Sequence, residues 1–287
     1  MEPIPVSVPV DISGMHSVHK RKKPIKGVLF DLYGTLFISE AGDISTSETT
    51  SGKNAFLKAL KLCLPSDAKL MEGAGNNSIK DVFYNTIAEK HAEEKKKGNK
   101  TPEVEIREVW DITLRHFGIA ALKKEIEEIA VVYEVIANKT WPMPDLAKTL
   151  SLVRDKGLIM GIISNAQFYS KLLFEAYLGL TASQLGFNPD LCYYSHESGI
   201  AKPGIEMFKK AASWLLREKK VSAEEVLYIG NDMLNDIKPA SGAGMQTCLF
   251  AGDSRSLRLR EKNRELSGIK PDYIITDLSS LKTVLNL

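Results

Sequence analysis

Short apolar runs alternate with amphipathic stretches through the second half of the chain. Runs typical of buried strands lie at Leu158–Ile163, Val226–Ile229 and Gln246–Phe250. Apolar residues at helical spacing lie between them, as over Leu146–Lys156, which Gly157 ends. Strands that alternate with helices predict a parallel sheet covered by helices on both faces. The same pattern predicts helices at Leu172–Leu178, Gly204–Glu218, Ile237–Ala243 and Leu278–Leu285, and strands at Leu191–Tyr194 and Tyr273–Thr276.

Another strand pattern lies near the N-terminus. The apolar run Gly27–Phe30 leads directly into Asp31, and Gly34 breaks the pattern soon after. Ser164 and Asp232 follow two of the other predicted strands in the same way. Because the carboxyl ends of parallel strands meet at one edge of a sheet, we expect these three side chains to converge there.

A long stretch between the first strand and the others has a different character. Residues 38–52 are rich in Ser, Thr and Gly, strand patterns are scarce after them, and Pro142 and Pro144 end the stretch. Its helices are expected near Phe56–Leu64, from Ser78 onward, at Val104–Phe117 and at Leu122–Ala137, with a break at Gly73–Asn77. The predicted domains are a tail at 1–24, an α/β core at 25–37 and 142–287, and an all-helical insert at 38–141.

Composition and charge narrow the class of protein. The 287 residues include 38 basic and 36 acidic ones, a balance that disfavours a nucleic-acid binder with a generally basic surface. We interpret the basic stretch His19–Lys23 as part of a solvated tail. No apolar run approaches the ~20 residues that span a bilayer, and no signal peptide is recognisable. The three cysteines are far apart, as expected for reduced thiols. We therefore expect a cytoplasmic protein without nucleic-acid or membrane partners.

Four short stretches resemble, in order, the motifs of one known family. Asp31–Leu36, with the sequence Asp-Leu-Tyr-Gly-Thr-Leu, is similar to the first motif of the haloacid dehalogenase superfamily. Ile162–Asn165, Ala201–Pro203 and Ile229–Asp236 are similar to the other three. The resemblance implies a Rossmann-like core with a helical cap inserted just after the first motif. It also implies a hydrolase that acts on a small-molecule substrate through a covalent aspartyl intermediate.

Within this resemblance, the motif residues take distinct roles. Asp31 is the expected nucleophile, and Lys202 supplies a compact positive charge beside it. Mg²⁺ is the expected cofactor, held by oxygens of Asp31 and Asp232 and by the backbone carbonyl of Tyr33. Thr35, Ser164 and Asn165 are expected to bind the substrate, and Asn231 and Asp236 to orient the metal ligands.

Tyr33 leaves the reaction open between three alternatives. The phosphatases of the superfamily usually carry a second acid at this position, and a tyrosine hydroxyl with a pKa near ~10 is a poor base at neutral pH. Tyrosine here resembles the 2-haloacid dehalogenases, whose halide leaving group needs no proton. Those enzymes are metal-independent and use an arginine soon after the first motif, whereas this chain keeps Asp232 and has no arginine between Asp31 and Arg107. We therefore favour a Mg²⁺-dependent phosphatase, with a haloacid dehalogenase and a non-catalytic binding protein as alternatives.

Overall fold

The structure, a computed structural model, describes residues 10–12, 15, 23–40, 54–67 and 75–286. Several sequence predictions fall partly outside these residues, namely the basic stretch His19–Lys23, the loop at 38–52 and the break at Gly73–Asn77. The chain divides into two compact units, one formed by Met1–Ser39 and Trp141–Leu287 and the other by Glu40–Thr140.

The first unit is built on a parallel sheet. In chain order the strands are β1 (Gly27–Phe30), β2 (Phe37–Ser39), β3 (Thr140–Pro142), β4 (Ile159–Ser164), β5 (Phe187–Tyr194), β6 (Val226–Gly230), β7 (Gln246–Phe250) and β8 (Tyr273–Ile275). Six of them form one sheet in the order β5-β4-β1-β6-β7-β8, and every neighbouring pair is parallel. The α/β fold with a parallel sheet that the alternating pattern predicted is confirmed.

Helices connect these strands and form the second unit. The α-helices that the structure describes in full are α1 (Ala55–Cys63), α2 (Gly75–Lys96), α3 (Ile106–His116), α4 (Lys123–Ala137), α5 (Leu146–Asp155), α6 (Leu172–Leu178), α7 (Ser195–Ser198), α8 (Glu206–Trp214), α9 (Lys238–Gly242) and α10 (Leu281–Val284). No helix in the described ranges combines the length and the hydropathy needed to cross a bilayer.

Strand β1 lies inside the sheet and is buried on both faces. Val28 and Phe30 belong to one apolar cluster, whereas Leu29 belongs to a second one. Successive side chains of a strand point to opposite faces, so the two clusters lie on opposite sides of the sheet. Burial of both faces stabilises β1 in this position, and the strand then presents Asp31 at its carboxyl end.

The helix predicted at Ile237–Ala243 begins earlier in the structure. A π-helical turn at Met233–Ile237 precedes α9. Asp232 caps this turn, because its Oδ1 atom accepts the backbone N–H groups of Leu234 at 2.8 Å and Asn235 at 3.2 Å. A single turn with polar residues in it has no apolar periodicity, so the sequence pattern did not indicate it.

The second unit packs its helices around aromatic side chains. Phe56 of α1, Phe83 of α2, Trp110 of α3 and Tyr133 of α4 contact one another with ring centroids 4.4 to 5.7 Å apart. Aromatic contacts of this kind add to the free energy gained by burying apolar area. One aromatic core therefore joins the four helices.

The ends of the stretch predicted to be all-helical need correction. Residues 37–39 and 140–142 are the strands β2 and β3, which pair in a small two-stranded sheet. The β-branched or aromatic residues Ile38, Thr140 and Trp141 favour extended backbone there. Gly75–Asn77, predicted as part of a break, instead begin α2.

Candidate active site

Three strand ends bring predicted site residues to one edge of the sheet. Strand β1 pairs with β4 on one side and with β6 on the other. Asp31 follows β1, Ser164 is the last residue of β4, and Asp232 follows the end of β6. The backbone N–H of Asp31 donates to the carbonyl of Ile229 at 2.9 Å, which fixes the first residue after β1 against β6.

Lys202 connects two carboxylates at this edge. Its Nζ atom donates to Asp31 Oδ1 at 2.8 Å and to Asp236 Oδ1 at 2.6 Å, and the lysine side chain is 3% exposed. The same Nζ atom lies 3.3 Å from the hydroxyl of Tyr228. A buried charge with all its hydrogen bonds made is held in one geometry, and removing one partner typically costs about 3–5 kcal/mol.

Burial and charge act against each other in this cluster. Burial alone lowers the pKa of Lys202, but the carboxylates of Asp236 and Asp31 outweigh it and leave that pKa above its ordinary value. Burial raises the pKa of Asp236 against the opposing effect of the Lys202 ammonium. Lys202 is therefore a permanent cation at neutral pH.

The Asp236 side chain packs against Gly230, where any larger residue would collide with it. Its Oδ2 atom accepts the backbone N–H of Asp232 at 2.9 Å, and its Oδ1 atom lies 3.0 Å from the hydroxyl of Tyr228. A Cβ atom at Gly230 would lie only 2.4 Å from Asp236 Cγ. Asp236 thus links Lys202 to the backbone that carries Asp232, an arrangement compatible with the orienting role that the sequence predicted.

Asn165 fixes the backbone around Lys202. Its Oδ1 atom accepts the N–H of Lys202 at 2.7 Å, and its Nδ2 atom donates to the carbonyl of the same residue at 3.2 Å. Both polar atoms of the amide are engaged within the protein. The structure therefore shows a positioning contact for Asn165 where the sequence predicted a substrate contact.

Thr35 likewise serves a contact within the protein. Its hydroxyl donates to Asn231 Oδ1 at 3.3 Å, and Asn231 Nδ2 donates to the carbonyl of Ser256 at 2.5 Å. Gly34 has a φ of +78°, and a Cβ atom there would lie 2.5 Å from Asn231 Nδ2. Thr35 is fully buried, and its side chain connects the first motif to the fourth, while its predicted contact with substrate stays a prediction.

Ser164 and Asp31 keep polar atoms that the protein does not use. The Oγ atom of Ser164 is buried and makes no hydrogen bond within the described residues. Leaving a buried hydroxyl unpaired costs about 1–3 kcal/mol. For Asp31, only the Oδ1 atom has a side-chain partner in the described part of the chain. A hydroxyl group and a carboxylate oxygen are therefore available to a bound molecule.

Tyr33 is held by a residue that the sequence analysis did not consider. The Tyr33 hydroxyl lies 2.8 Å from Oγ of Ser170, which is fully buried in the turn that precedes α6. Either oxygen can donate in this pair. The hydrogen bond restricts the orientation of the ring that replaces the usual second acid.

Asp232 is held by an arginine that the sequence analysis also missed. Arg260 Nε lies 2.8 Å from Asp232 Oδ1, and Arg260 Nη2 lies 2.6 Å from Oδ2. The segment between β7 and β8 has no helical or strand periodicity, and a solvated arginine in such a segment has no distinguishing pattern. Tertiary structure alone reveals this ion pair.

The side chains at this edge of the sheet are of the type that Mg²⁺ binds. The available Asp31 oxygen and the Asp232 carboxylate are hard oxygen ligands at adjacent strand ends, and Mg²⁺ is usually held by one or two carboxylates while it keeps several waters. No group of three His, Cys, Asp or Glu side chains suited to a metal occurs among the residues described. The expected set has only two carboxylates, with the carbonyl of Tyr33 as third ligand.

The fold and this edge define the class of protein. A parallel α/β sheet presents an aspartate after its first strand, a lysine bonded to that aspartate, and two further acids after a neighbouring strand. Residues 25–244 match the family described as haloacid dehalogenase-like hydrolase, and the chain belongs to this family. The resemblance that the four motifs indicated is confirmed.

Named relatives include phosphatases. Glyceraldehyde 3-phosphate phosphatase from Methanocaldococcus jannaschii is 28% identical over 91% of this chain and 97% of its own length. The protein of the same name from Methanopyrus kandleri is 26% identical over 78% of this chain and 82% of its own length.

Solved structures share the fold at low sequence identity. A 2-haloacid dehalogenase from Pseudomonas syringae pv. Tomato DC3000 has a TM-score of 0.61 at 22% identity, and covers 91% of this chain and 98% of its own. A HAD phosphatase from Thermococcus onnurineus has a TM-score of 0.52 at 19% identity, with the same coverage of 91% and 98%. These two likenesses concern the fold alone.

Proposed function

We propose that this protein hydrolyses phosphate monoesters of small metabolites with Asp31 as the nucleophile. The observation that carries the proposal is the pair of available atoms at one sheet edge, an oxygen of Asp31 and the buried hydroxyl of Ser164. A phosphoryl group offers an electrophilic phosphorus atom to the first and an acceptor oxygen to the second. Two relatives named glyceraldehyde 3-phosphate phosphatase support a phosphorylated substrate.

The proposed reaction has two displacement steps. In the first, a bond forms between the free Asp31 oxygen and phosphorus while the bond from phosphorus to the leaving oxygen breaks. Lys202 holds the other Asp31 oxygen at 2.8 Å, and its charge offsets the repulsion between the carboxylate and the phosphate dianion. In the second step, water attacks phosphorus and the bond from phosphorus to the Asp31 oxygen breaks, which releases inorganic phosphate and restores the carboxylate. The proton that this water gives up balances the proton that the leaving oxygen takes from solvent.

Mg²⁺ is part of this proposal, with Asp31, Asp232 and the carbonyl of Tyr33 as its ligands. When bound, the ion would supply further positive charge to the phosphate oxygens. The charge balance supports an added cation. Three carboxylates face the two side-chain cations of the ion-pair network before the substrate dianion arrives.

The test measures phosphate release from p-nitrophenyl phosphate and from a panel of triose and sugar phosphates, with and without Mg²⁺. Asp31→Asn should lower release by ~10³-fold or more while the circular dichroism spectrum is unchanged. Asp272→Asn is the matched control. Asp272 precedes β8 and so lies at the amino ends of the strands, away from Asp31, and this variant should stay near wild-type activity. Mass spectrometry of quenched wild-type enzyme should find phosphate on Asp31. Full activity in Asp31→Asn would remove Asp31 from the mechanism.

A 2-haloacid dehalogenase is the second candidate, and Tyr33 is the observation that favours it. Its hydroxyl is bonded to Ser170, and it replaces a carboxylate that could activate water. A halide leaves without a proton, so a dehalogenase would not need an acid there. If the protein releases chloride from 2-chloropropionate, and a chelator does not stop this release, the dehalogenase function is supported. Failure to release either phosphate or chloride from any compound would favour a non-catalytic binding protein.

A further inference from the structure

Both carboxylate oxygens of Asp232 accept hydrogen bonds from groups of the protein. Arg260 Nε lies 2.8 Å from Oδ1 and 3.0 Å from Oδ2, and Nη2 lies 2.6 Å from Oδ2. Two backbone N–H groups of the following turn also donate to Oδ1. A carboxylate has about four lone-pair positions. Arg260 supplies the only side-chain contacts to this carboxylate in the described part of the chain, so a metal ion at Asp232 would compete with the guanidinium for the same two oxygens.

Backbone contacts hold the segment before Arg260 beside the fourth motif, and the Arg260 side chain is partly exposed to solvent. The N–H of Arg258 donates to the carbonyl of Asn231 at 3.0 Å, and the N–H of Met233 donates to the carbonyl of Arg258 at 2.9 Å. These two bonds hold Arg258, two residues before Arg260, alongside the fourth motif. The Arg260 side chain itself is 33% exposed, so its guanidinium can move into water without opening the core.

We propose that Arg260 competes with the divalent cation for Asp232 and thereby sets the metal concentration at which the site is loaded. The proposal rests on the proposed function in one respect, the assignment of Asp232 as a metal ligand. While it is bound to Asp232, the guanidinium neutralises the acid and keeps its orientation. Metal binding then requires the divalent cation to replace the singly charged Arg260 guanidinium at Asp232.

The size of the effect follows from the population of the competing states. When the competent state is only a fraction of the molecules, the apparent dissociation constant rises by the inverse of that fraction. If Arg260 leaves Asp232 in about a tenth of the molecules, wild type binds the metal about tenfold more weakly than a variant without the guanidinium. Metal affinity, measured without substrate, is therefore the quantity that reports the competition.

The experiment titrates Mn²⁺, followed by electron paramagnetic resonance, and Mg²⁺, followed by calorimetry, into the full chain without substrate. Arg260→Met keeps the aliphatic stem and removes every donor. Arg258→Met is the matched control, because that guanidinium donates to the carbonyls of Arg255 and Leu257 and removing it subtracts the same charge nearby. We expect Arg260→Met to bind both metals about tenfold more tightly than wild type, and Arg258→Met to bind within about twofold of it. Equal affinities in the two variants would overturn the proposal.

Two further variants keep the outcomes distinct. Arg260→Lys retains the charge without the paired geometry, so its affinity should lie between those of wild type and Arg260→Met. If Arg260→Met shows a changed circular dichroism spectrum, Arg260→Lys becomes the test of the proposal. A metal affinity of Arg260→Lys equal to that of wild type would then count against competition. The double variant Arg260→Met/Asp232→Asn should lose the gain in affinity. If it keeps the gain, Asp232 is not the ligand and the metal part of the proposed function fails, whereas the role of Asp31 is tested separately by phosphate release.

Discussion

If the proposed reaction holds, we expect Tyr33 to set the balance between its two steps. A tyrosine hydroxyl is protonated at neutral pH, so it can give a proton to a leaving oxygen but accepts one poorly from water. Breakdown of the aspartyl phosphate should then be slower than its formation. Stopped-flow measurement with p-nitrophenyl phosphate should show a burst of p-nitrophenolate before a slower steady state.

Substitution at the same residue checks this explanation. Tyr33→Asp should abolish the burst and raise steady-state turnover by about 10²-fold, because a carboxylate can activate water. Tyr33→Phe is the control and should keep the burst, since it adds no base. A wild-type enzyme without a burst, or Tyr33→Asp without a gain in turnover, would show that Tyr33 has a different task.

At the scale of elements, the close approach of β6 to Asp236 leaves no room for a single added methyl group. A Cβ atom at Gly230 would lie 2.4 Å from Asp236 Cγ, whereas one at Gly27 in β1 meets nothing nearer than 3.4 Å. Gly230→Ala should therefore cost about 1–3 kcal/mol of unfolding free energy and lower activity, because Asp236 must move. Gly27→Ala should change the urea midpoint far less. Equal midpoints for the two variants would contradict the packing described.

An ion pair joins the beginnings of two neighbouring strands. Glu225, which precedes β6, lies 2.6 Å from the Nζ atom of Lys26, which precedes β1. Ser222 donates its N–H and its hydroxyl to the same carboxylate, each at 2.9 Å. The hydrogen bond from Lys26, followed by those from Ser222, lowers the pKa of Glu225 to about 2.

This pKa predicts how stability depends on pH. A carboxylate whose pKa is lower in the folded state stabilises the fold above its unfolded pKa, and that contribution is lost as the pH falls toward the folded value. Glu225→Gln should unfold at lower urea concentration than wild type at pH 7, and the gap should close between about pH 4.5 and pH 2. The exposed Glu261→Gln is the control and should show no such gap. A gap that persists at pH 2 would contradict the assignment.

At the scale of the whole molecule, the first unit contains everything that its fold requires. Its sheet and both apolar clusters come from residues before 40 and after 140. Strands β2 and β3 pair, so the two ends of the chain that lead to residues 40–140 are neighbours. Replacing residues 41–138 with a short Gly-Ser turn should therefore leave a protein that unfolds cooperatively with the near-ultraviolet signal of a packed core. A product without a cooperative transition would contradict independent folding of this unit.

The parts of the site that the sequence predicted are those encoded by strand ends. Asp31, Ser164 and Asp232 each follow an apolar run, and the parallel sheet brings such positions together whatever their separation along the chain. The sequence predicts that Thr35 and Asn165 bind substrate, and it gives no sign of the contacts that their side chains make within the protein, because a motif does not report such contacts. Their hydrogen bonds to Asn231 and Lys202 depend on tertiary structure.

The contacts of the segment after β7 could not be predicted from the sequence, for a related reason. Residues 253–260 have no regular secondary structure, and their contribution lies in single contacts, such as the Ser256 carbonyl with Asn231 and Arg260 with Asp232. Periodicity reports elements that bury one face, and it carries no information about an isolated side chain that crosses to a neighbouring strand.

The contact between Arg260 and Asp232 has a consequence for engineering this protein. The match to the family ends at residue 244, so Arg260 lies beyond the region that defines membership. Chimeras that exchange C-terminal ends between relatives would keep all four motifs and still alter the cation requirement. We expect the metal affinity of such hybrids, measured by titration without substrate, to follow the parent that donates the last strand and the loop before it.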